Sequence, residues 1–147
     1  MKKFDINRKT LIGRLEKVEF PDWGLTNLDA KIDTGAYTSS LHCHYIEPDP
    51  DGKNVKFSLL DPTHPEYEKK VFIRPILDKR DIKSSNGESE LRSVVASNIV
   101  ISGMQFPIEL SLTDRSQMKY PVLLGRKFIR GRFLIDVSKK YISKLNK

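Results

Sequence analysis

Apolar and polar positions alternate along most of the chain, and that alternation predicts strands rather than helices. Alternating or β-branched runs lie at Leu11–Phe20, Leu25–Ile32, Thr38–Ile46, Val55–Leu60, Lys70–Leu77, Leu91–Ile101, Phe106–Thr113 and Phe133–Val137. Successive side chains of a strand point to opposite faces, so a period of two marks a segment with one buried face. Turn formers separate the runs: Pro21-Asp22, Pro48 to Gly52, Asp61-Pro62, Asn86-Gly87 and Ser102-Gly103. Asn-Gly supplies the positive φ angles of a tight hairpin turn, and Ser102-Gly103 links two β-rich runs directly. Short strands at this spacing predict an all-β fold that is closed or sandwiched, because those architectures dispose of exposed edges. The only helix expected is short and opens after Gly125, at Arg126–Ile129, while Tyr141–Lys147 reads as a frayed turn. No repeat, linker or low-complexity stretch divides the chain. Residues 1–147 are therefore expected to form one domain, with its core over about 11–141 and a basic tail at 138–147.

Composition narrows the class. With 147 residues, 38% hydrophobic and 31% charged, the chain has material for one core and is not of disordered composition. No apolar run approaches the ~18 residues of a membrane span. The N-terminal stretch carries charges where a signal peptide needs its apolar segment. Cys43 is the only cysteine, which excludes a disulfide framework. These features predict a soluble protein of the reducing cytoplasm with no membrane partner.

Charge adds a local feature. The net charge is +7, from 26 Lys and Arg against 19 Asp and Glu. Acidic and basic residues balance up to Gly125, so the whole excess lies in the last 22 residues. There Arg126, Lys127, Arg130, Arg132, Lys139, Lys140, Lys144 and Lys147 face only Asp136. Such a cluster concentrates acidic partners. Without interleaved aromatics or a groove-reading motif it does not point to nucleic acid.

Two short segments carry candidate chemistry. In Ala30-Lys31-Ile32-Asp33-Thr34-Gly35-Ala36-Tyr37-Thr38-Ser39-Ser40-Leu41, an aspartate stands where an apolar strand ends, followed by a small hydroxyl residue and a glycine. Gly35 allows a sharp turn and Thr34 can brace it, so the Asp33 carboxylate would stand at a fixed place. The tripeptide alone fits an Asx-type turn closing a hairpin equally well. Far downstream comes Tyr120-Pro121-Val122-Leu123-Leu124-Gly125-Arg126-Lys127-Phe128-Ile129, an apolar strand ending in Gly-Arg and a helical turn.

Together these segments resemble the signature pair of retropepsin-type aspartic proteases, in which the second element packs under the loop carrying the aspartate. The chain is still more similar to a bacterial family of small retropepsin-like proteins named ATP-dependent zinc proteases and associated with RimK-type ATP-grasp ligases. Ala30 to His42, then Glu90-Leu91-Arg92, Tyr120 to Arg126 and Phe133-Leu134-Ile135-Asp136 carry the match, which spans about Leu11 to Tyr141.

The resemblance implies a closed barrel of the retropepsin-like type and a peptidase with Asp33, Thr34 and Gly35 as its catalytic loop. With one Asp-Thr-Gly per chain, a site with two carboxylates requires a homodimer. Ala36 stands where a serine or threonine would donate to the carboxylate, and its absence implies a higher working pH than that of a stomach-type enzyme. Thr34, as in the family, is expected to lock the two loops across the interface. Lys83 to Glu90, with Asn86-Gly87 at its tip, is the candidate flap. Ala36, Asn86, Gly87, Glu90, Arg92, Gly125 and Arg126 are expected to line the substrate cleft. Tyr37 replaces the acidic residue that pairs with the Gly-Arg arginine in viral enzymes, so Arg126 needs another partner, such as a carboxylate of the second subunit.

The zinc in the family label has thinner support. His42 and His44 are expected on one face of a strand, with His64, Glu47 or Asp49 as third ligand, but no His-Glu-x-x-His is present and no metal is expected. Cys43 reads as a small buried hydrophobe. No phosphate-cradling loop is present, so no cofactor is expected and any ATP dependence belongs to a partner ligase. Because that ligase family adds amino acids such as glutamate, the expected substrate is a peptide or protein with an acidic, glutamate-rich tail. Two alternatives remain at this level: a zinc peptidase using His42 and His44, and a non-catalytic dimerisation and binding module on the same fold.

Overall fold

The computed structural model describes residues 9–60, 64, 65, 67, 69–83, 87–114 and 119–143. Its elements, in chain order, are β1 (Thr10–Gly13), β2 (Leu15–Phe20), β3 (Leu25–Ile32), β4 (Ser39–Pro48), β5 (Asn54–Leu59), β6 (Val71–Pro75), β7 (Asp78–Lys83), β8 (Ser89–Ile101), β9 (Met104–Thr113), β10 (Val122–Leu124), α1 (Arg126–Ile129) and β11 (Phe133–Asp136). Six strands run in the order β10-β3-β2-β8-β9-β4, and β4 pairs back onto β10. The result is a closed all-β barrel with one short helix directly after Gly125-Arg126, as the alternation and the resemblance predict. Closure joins antiparallel hairpins to two parallel contacts, β3 with β10 and β4 with β9. Strands β5 and β6 continue outward from β4, and β1 and β11 form a separate parallel pair.

Alternation fills the interior. Val18 and Phe20 of β2, Leu28 and Ala30 of β3, and Leu110 and Leu112 of β9 are all buried. Each large apolar side chain removed from water contributes about 1.5–3 kcal/mol. Trp23, in the turn after β2, lies 5.5 Å from Phe20 and 5.7 Å from Phe57 between ring centroids. A second aromatic group, Phe106, Phe128 and Phe133, anchors α1 against β9 and β11. Ser102 (φ 55°) and Gly103 (φ 72°) form the predicted tight turn between β8 and β9.

Several boundaries differ from those expected. Leu11–Phe20 divides at Arg14, whose N–H leaves the strand to donate to the Lys139 carbonyl at 2.8 Å. Lys70–Leu77 contracts to β6, and a separate strand, β7, follows it. β7 pairs antiparallel with the first half of β8, from Asp78 opposite Val94 to Lys83 opposite Ser89. The candidate flap is thus the end of a hairpin; its residues 84–86, Asn86 among them, lie outside the described residues. Of the frayed turn expected at Tyr141–Lys147, residues 144–147 lie outside the described residues, and Tyr141–Ser143 is docked. The buried Glu16 accepts from Gly13 N–H (2.6 Å), Ile142 N–H (3.3 Å), Ser143 N–H (3.1 Å) and the Ser143 hydroxyl, and Tyr141 donates to Asp29. Glu16 interrupts the apolar face of β2 because backbone donors from two segments satisfy its carboxylate in place of water. Among the described residues, no helix is long and apolar enough to cross a membrane.

Candidate active site

Strand β3 sets the position of Asp33. The register of Ala30 opposite Val122 and Ile32 opposite Leu124 carries the parallel β3–β10 ladder to its end. One more bond extends it, from Asp33 N–H to the Leu124 carbonyl at 2.9 Å. The chain then turns: Ala36 N–H donates to the Asp33 carbonyl at 3.2 Å, and Gly35 N–H donates to Asp33 Oδ1 at 3.1 Å. The carboxylate is therefore tethered by one oxygen while Asp33 stays half-buried and Thr34 and Gly35 lie exposed. An Asx-type turn and a presented carboxylate are here the same structure.

The Gly-Arg segment forms the floor of this loop. Gly125 N–H donates to Ser39 Oγ at 3.0 Å, Arg126 N–H to the Ala36 carbonyl at 2.8 Å and Lys127 N–H to the Tyr37 carbonyl at 3.0 Å. The opening amides of α1, which have no partners within a helix, are thus spent on the loop. A Cβ at position 125 would stand 2.6 Å from the Tyr37 carbonyl oxygen and 2.9 Å from that of Ala36, so only glycine permits the approach. Arg126 finds its partners within its own chain. Its Nη1 donates to the Thr34 carbonyl at 2.9 Å and its guanidinium lies 5.9 Å from the Tyr37 ring centroid. A carbonyl and an aromatic face thus stand around Arg126 where the viral enzymes have an acidic residue of the same chain.

The structure brings Asp33, Thr34, Gly35, Ala36, Gly125 and Arg126 into one cluster. Glu90 and Arg92 lie apart on β8, where Arg92 is buried and its Nε donates to Glu90 at 3.2 Å; Gly87 is exposed at the hairpin end. The link between hairpin and loop is a residue the sequence did not single out. Arg80 on β7 faces Arg92 across the ladder and sends Nη1 to Thr38 Oγ1 (3.2 Å), Nη2 to Glu109 (2.9 Å) and Nε to Asp78 (2.8 Å). Glu109 Oε1 also takes Lys127 Nζ at 2.9 Å. Hydrogen bonding to Lys127 and then Arg80 holds the Glu109 carboxyl below its ordinary range, and Arg80 does the same for Asp78. The signal was present as a charged run, Asp78-Lys79-Arg80-Asp81, but charge runs ordinarily mark solvated faces.

The two histidines do not share a face. A register shift between Cys43 and Tyr45 breaks the alternation of β4, leaving His42 buried and His44 exposed, its ring edge-on to Tyr67. Among the described residues no three His, Cys, Asp or Glu side chains gather as a metal site. Cys43 is buried, and burial pushes its thiol far above the ordinary range, which suits a core side chain rather than a nucleophile.

A closed six-stranded barrel that presents an aspartate at the end of one strand, seated on a Gly-Arg strand–helix junction, defines the retropepsin-like class. The chain belongs to the RimB-like family: residues 11–146 match the family described as retropepsin-like aspartic endopeptidase RimB. It is 40% identical over 141 residues to a probable alpha-L-glutamate ligase of Shewanella pealeana, covering 92% of this chain and 30% of that protein. A protein of the same name from Parasynechococcus marenigrum is 36% identical over 137 residues, covering 89% of this chain and 28% of that one. The chain thus spans less than a third of the length of these relatives. A crystal structure of a protein of unknown function (DUF785) from Legionella pneumophila superposes with a TM-score of 0.71 at 29% identity, covering 91% of this chain and 98% of that one.

Proposed function

We propose that the protein is an aspartic peptidase, active as a homodimer in which Asp33 of both subunits meets on a two-fold axis. The observation that carries this reading is the seating of Asp33: one carboxylate oxygen is held by Gly35 N–H on a loop pinned to β10 and α1, and the residue remains open to solvent. A carboxylate used as base or acid must be fixed and reachable at once. Two such groups a few ångströms apart cannot both ionise, so the pair shares one proton and titrates as a unit.

In this mechanism the ionised Asp33 takes a proton from a water whose oxygen attacks the peptide carbonyl carbon. The protonated Asp33 of the partner subunit gives its proton to the carbonyl oxygen. The tetrahedral adduct then collapses: the C–N bond breaks, the leaving nitrogen gains a proton from the first carboxyl, and the second proton returns to the dyad. Thr34 braces the two loops, Gly35 and Ala36 leave room for the peptide backbone, and Arg126 holds the loop through Thr34. The β7–β8 hairpin, with Gly87 at the start of its second arm, covers the bound chain.

The substrate on this reading is an acidic, glutamate-rich peptide tail, and the partner a RimK-type ligase in the cytoplasm. The names of the relatives support this, as does the basic excess after Gly125. Turnover of a glutamate-tailed protein by wild type and Asp33→Asn, at matched fold and oligomeric state and with and without chelator, tests it. Cleavage that vanishes in Asp33→Asn and ignores the chelator is expected. Survival of cleavage in the variant but not under chelation would move the chemistry to a metal. Binding without any cleavage would leave a non-catalytic module.

A further inference from the structure

Beside the Asp33 loop lies a cavity of about 320 Å³, lined by Thr38 and by Ser39 at the start of β4, by β7, β8 and β9, and by α1 with the turn after it. Its volume is at the lower end of the range of small-ligand sites. Leu77, Ala96, Pro107, Ile108 and Phe128 supply apolar wall, while the polar edge holds three cations, Arg80, Lys127 and Arg132, against one carboxylate, Glu109. Two of those cations are already neutralised. Arg80 is tied to Asp78, Glu109 and Thr38, and Lys127 shares Glu109.

Arg132 is different. Among the described residues no carboxylate pairs with it, although it is half-buried. Its Nη1 donates to the Phe128 carbonyl at 2.8 Å, and its guanidinium lies 5.3 Å from the Phe106 ring centroid and 5.1 Å from that of Phe128. The side chain is thus held on two aromatic rings at the cavity wall, with no carboxylate of the described residues against it. A guanidinium fixed in this way is pre-organised for a carboxylate, because little rotamer freedom is left to lose and its fork matches two oxygens.

We propose that this cavity is a carboxylate-binding subsite that takes an acidic side chain of a bound peptide, with Arg132 as its receptor and the Glu109-paired Lys127 at its rim. The proposal rests on the peptidase reading for the identity of the ligand as substrate. It deepens that reading by locating specificity in one pocket rather than in the diffuse basic tail. Lys127 also connects the pocket to the catalytic loop, since its own N–H holds the Tyr37 carbonyl at 3.0 Å.

Binding is measured separately from catalysis by titrating tetraglutamate and tetraglutamine into folded Asp33→Asn protein by calorimetry at low and high salt. Tetraglutamate is expected to bind in a salt-sensitive way, and Arg132→Gln to weaken it about tenfold or more, as loss of a charge-assisted bidentate contact does. Arg132→Lys keeps the charge without the fork and is expected to fall between the two. Affinity unchanged in Arg132→Gln, or equal binding of tetraglutamine, overturns the subsite. Because Arg132 also packs on Phe128, a second measurement needs no substitution: tetraglutamate should protect Arg132 from phenylglyoxal in the wild-type fold. Full modification at saturating peptide overturns the proposal. Peptide that binds through Arg132 but is never cleaved by wild type would sink the peptidase reading alone; cleavage indifferent to Arg132 would sink the subsite alone.

Discussion

Gly125 and Asp33 depend on each other more directly than their separation in sequence implies. The glycine lets α1 approach until its amides reach the Ala36 and Tyr37 carbonyls, and those bonds hold the turn that presents the carboxylate. Gly125→Ala places a methyl 2.6 Å from a backbone oxygen, where no flexible side chain can yield. The expected cost is about 2–4 kcal/mol of stability, read as a lower urea midpoint at unchanged slope, with activity reduced further than stability alone explains. The Asp-Thr-Gly and Gly-Arg pieces were legible in sequence because backbone constraints leave residue-type signatures. The partner of Arg126 was not. A carbonyl acceptor has no residue identity, and Tyr37 looked like the loss of an ion pair rather than an aromatic replacement for one.

The strands that bury one face were read nearly to their ends. The one missed, β7, has charged residues along both faces, so no period of two appears; only its pairing with β8 makes it a strand. Its importance lies in Arg80, which joins the hairpin to β4 and, through Glu109, to α1. This junction should be sensitive to acid. The folded Glu109 carboxyl sits below its ordinary value because Lys127 and Arg80 bond its charged form. A depressed carboxylate contributes stability that is complete above its unfolded pKa, about 4.3 for glutamate, and is lost as pH falls through the lower folded value. Glu109→Gln should therefore melt lower than wild type at neutral pH and converge on it as the pH falls below that unfolded value. The neutral-pH gap should be about 1 kcal/mol or less, since the side chains are partly exposed. Parallel melting curves across that range would contradict the assignment of the junction.

At the scale of the molecule, the proposed site is incomplete in one chain, since a dyad needs two carboxylates and each subunit brings one. Mixing wild type with an equal amount of Asp33→Asn under exchange should leave about a quarter of the dimers with both native carboxylates. Specific activity per total protein should fall to about that fraction, whereas a fall only to half would mean that each chain works alone. The all-β class, the single short helix and the two signature segments follow from the sequence by itself, because side-chain alternation and the special demands of Gly and Asp are local properties. Closure of the barrel by β4 on β10, the seating of Glu16 under the segment after β11, and the separation of His42 from His44 were decided only by tertiary structure. So was the fate of the basic excess. One linear cluster is distributed among the floor of the Asp33 loop (Arg126), the cavity beside it (Lys127, Arg132) and the outer surface (Lys139, Lys140). The reason is physical: which charges meet depends on which strands pair, and strand pairing over such distances is set by the burial of the whole core rather than by any segment within it.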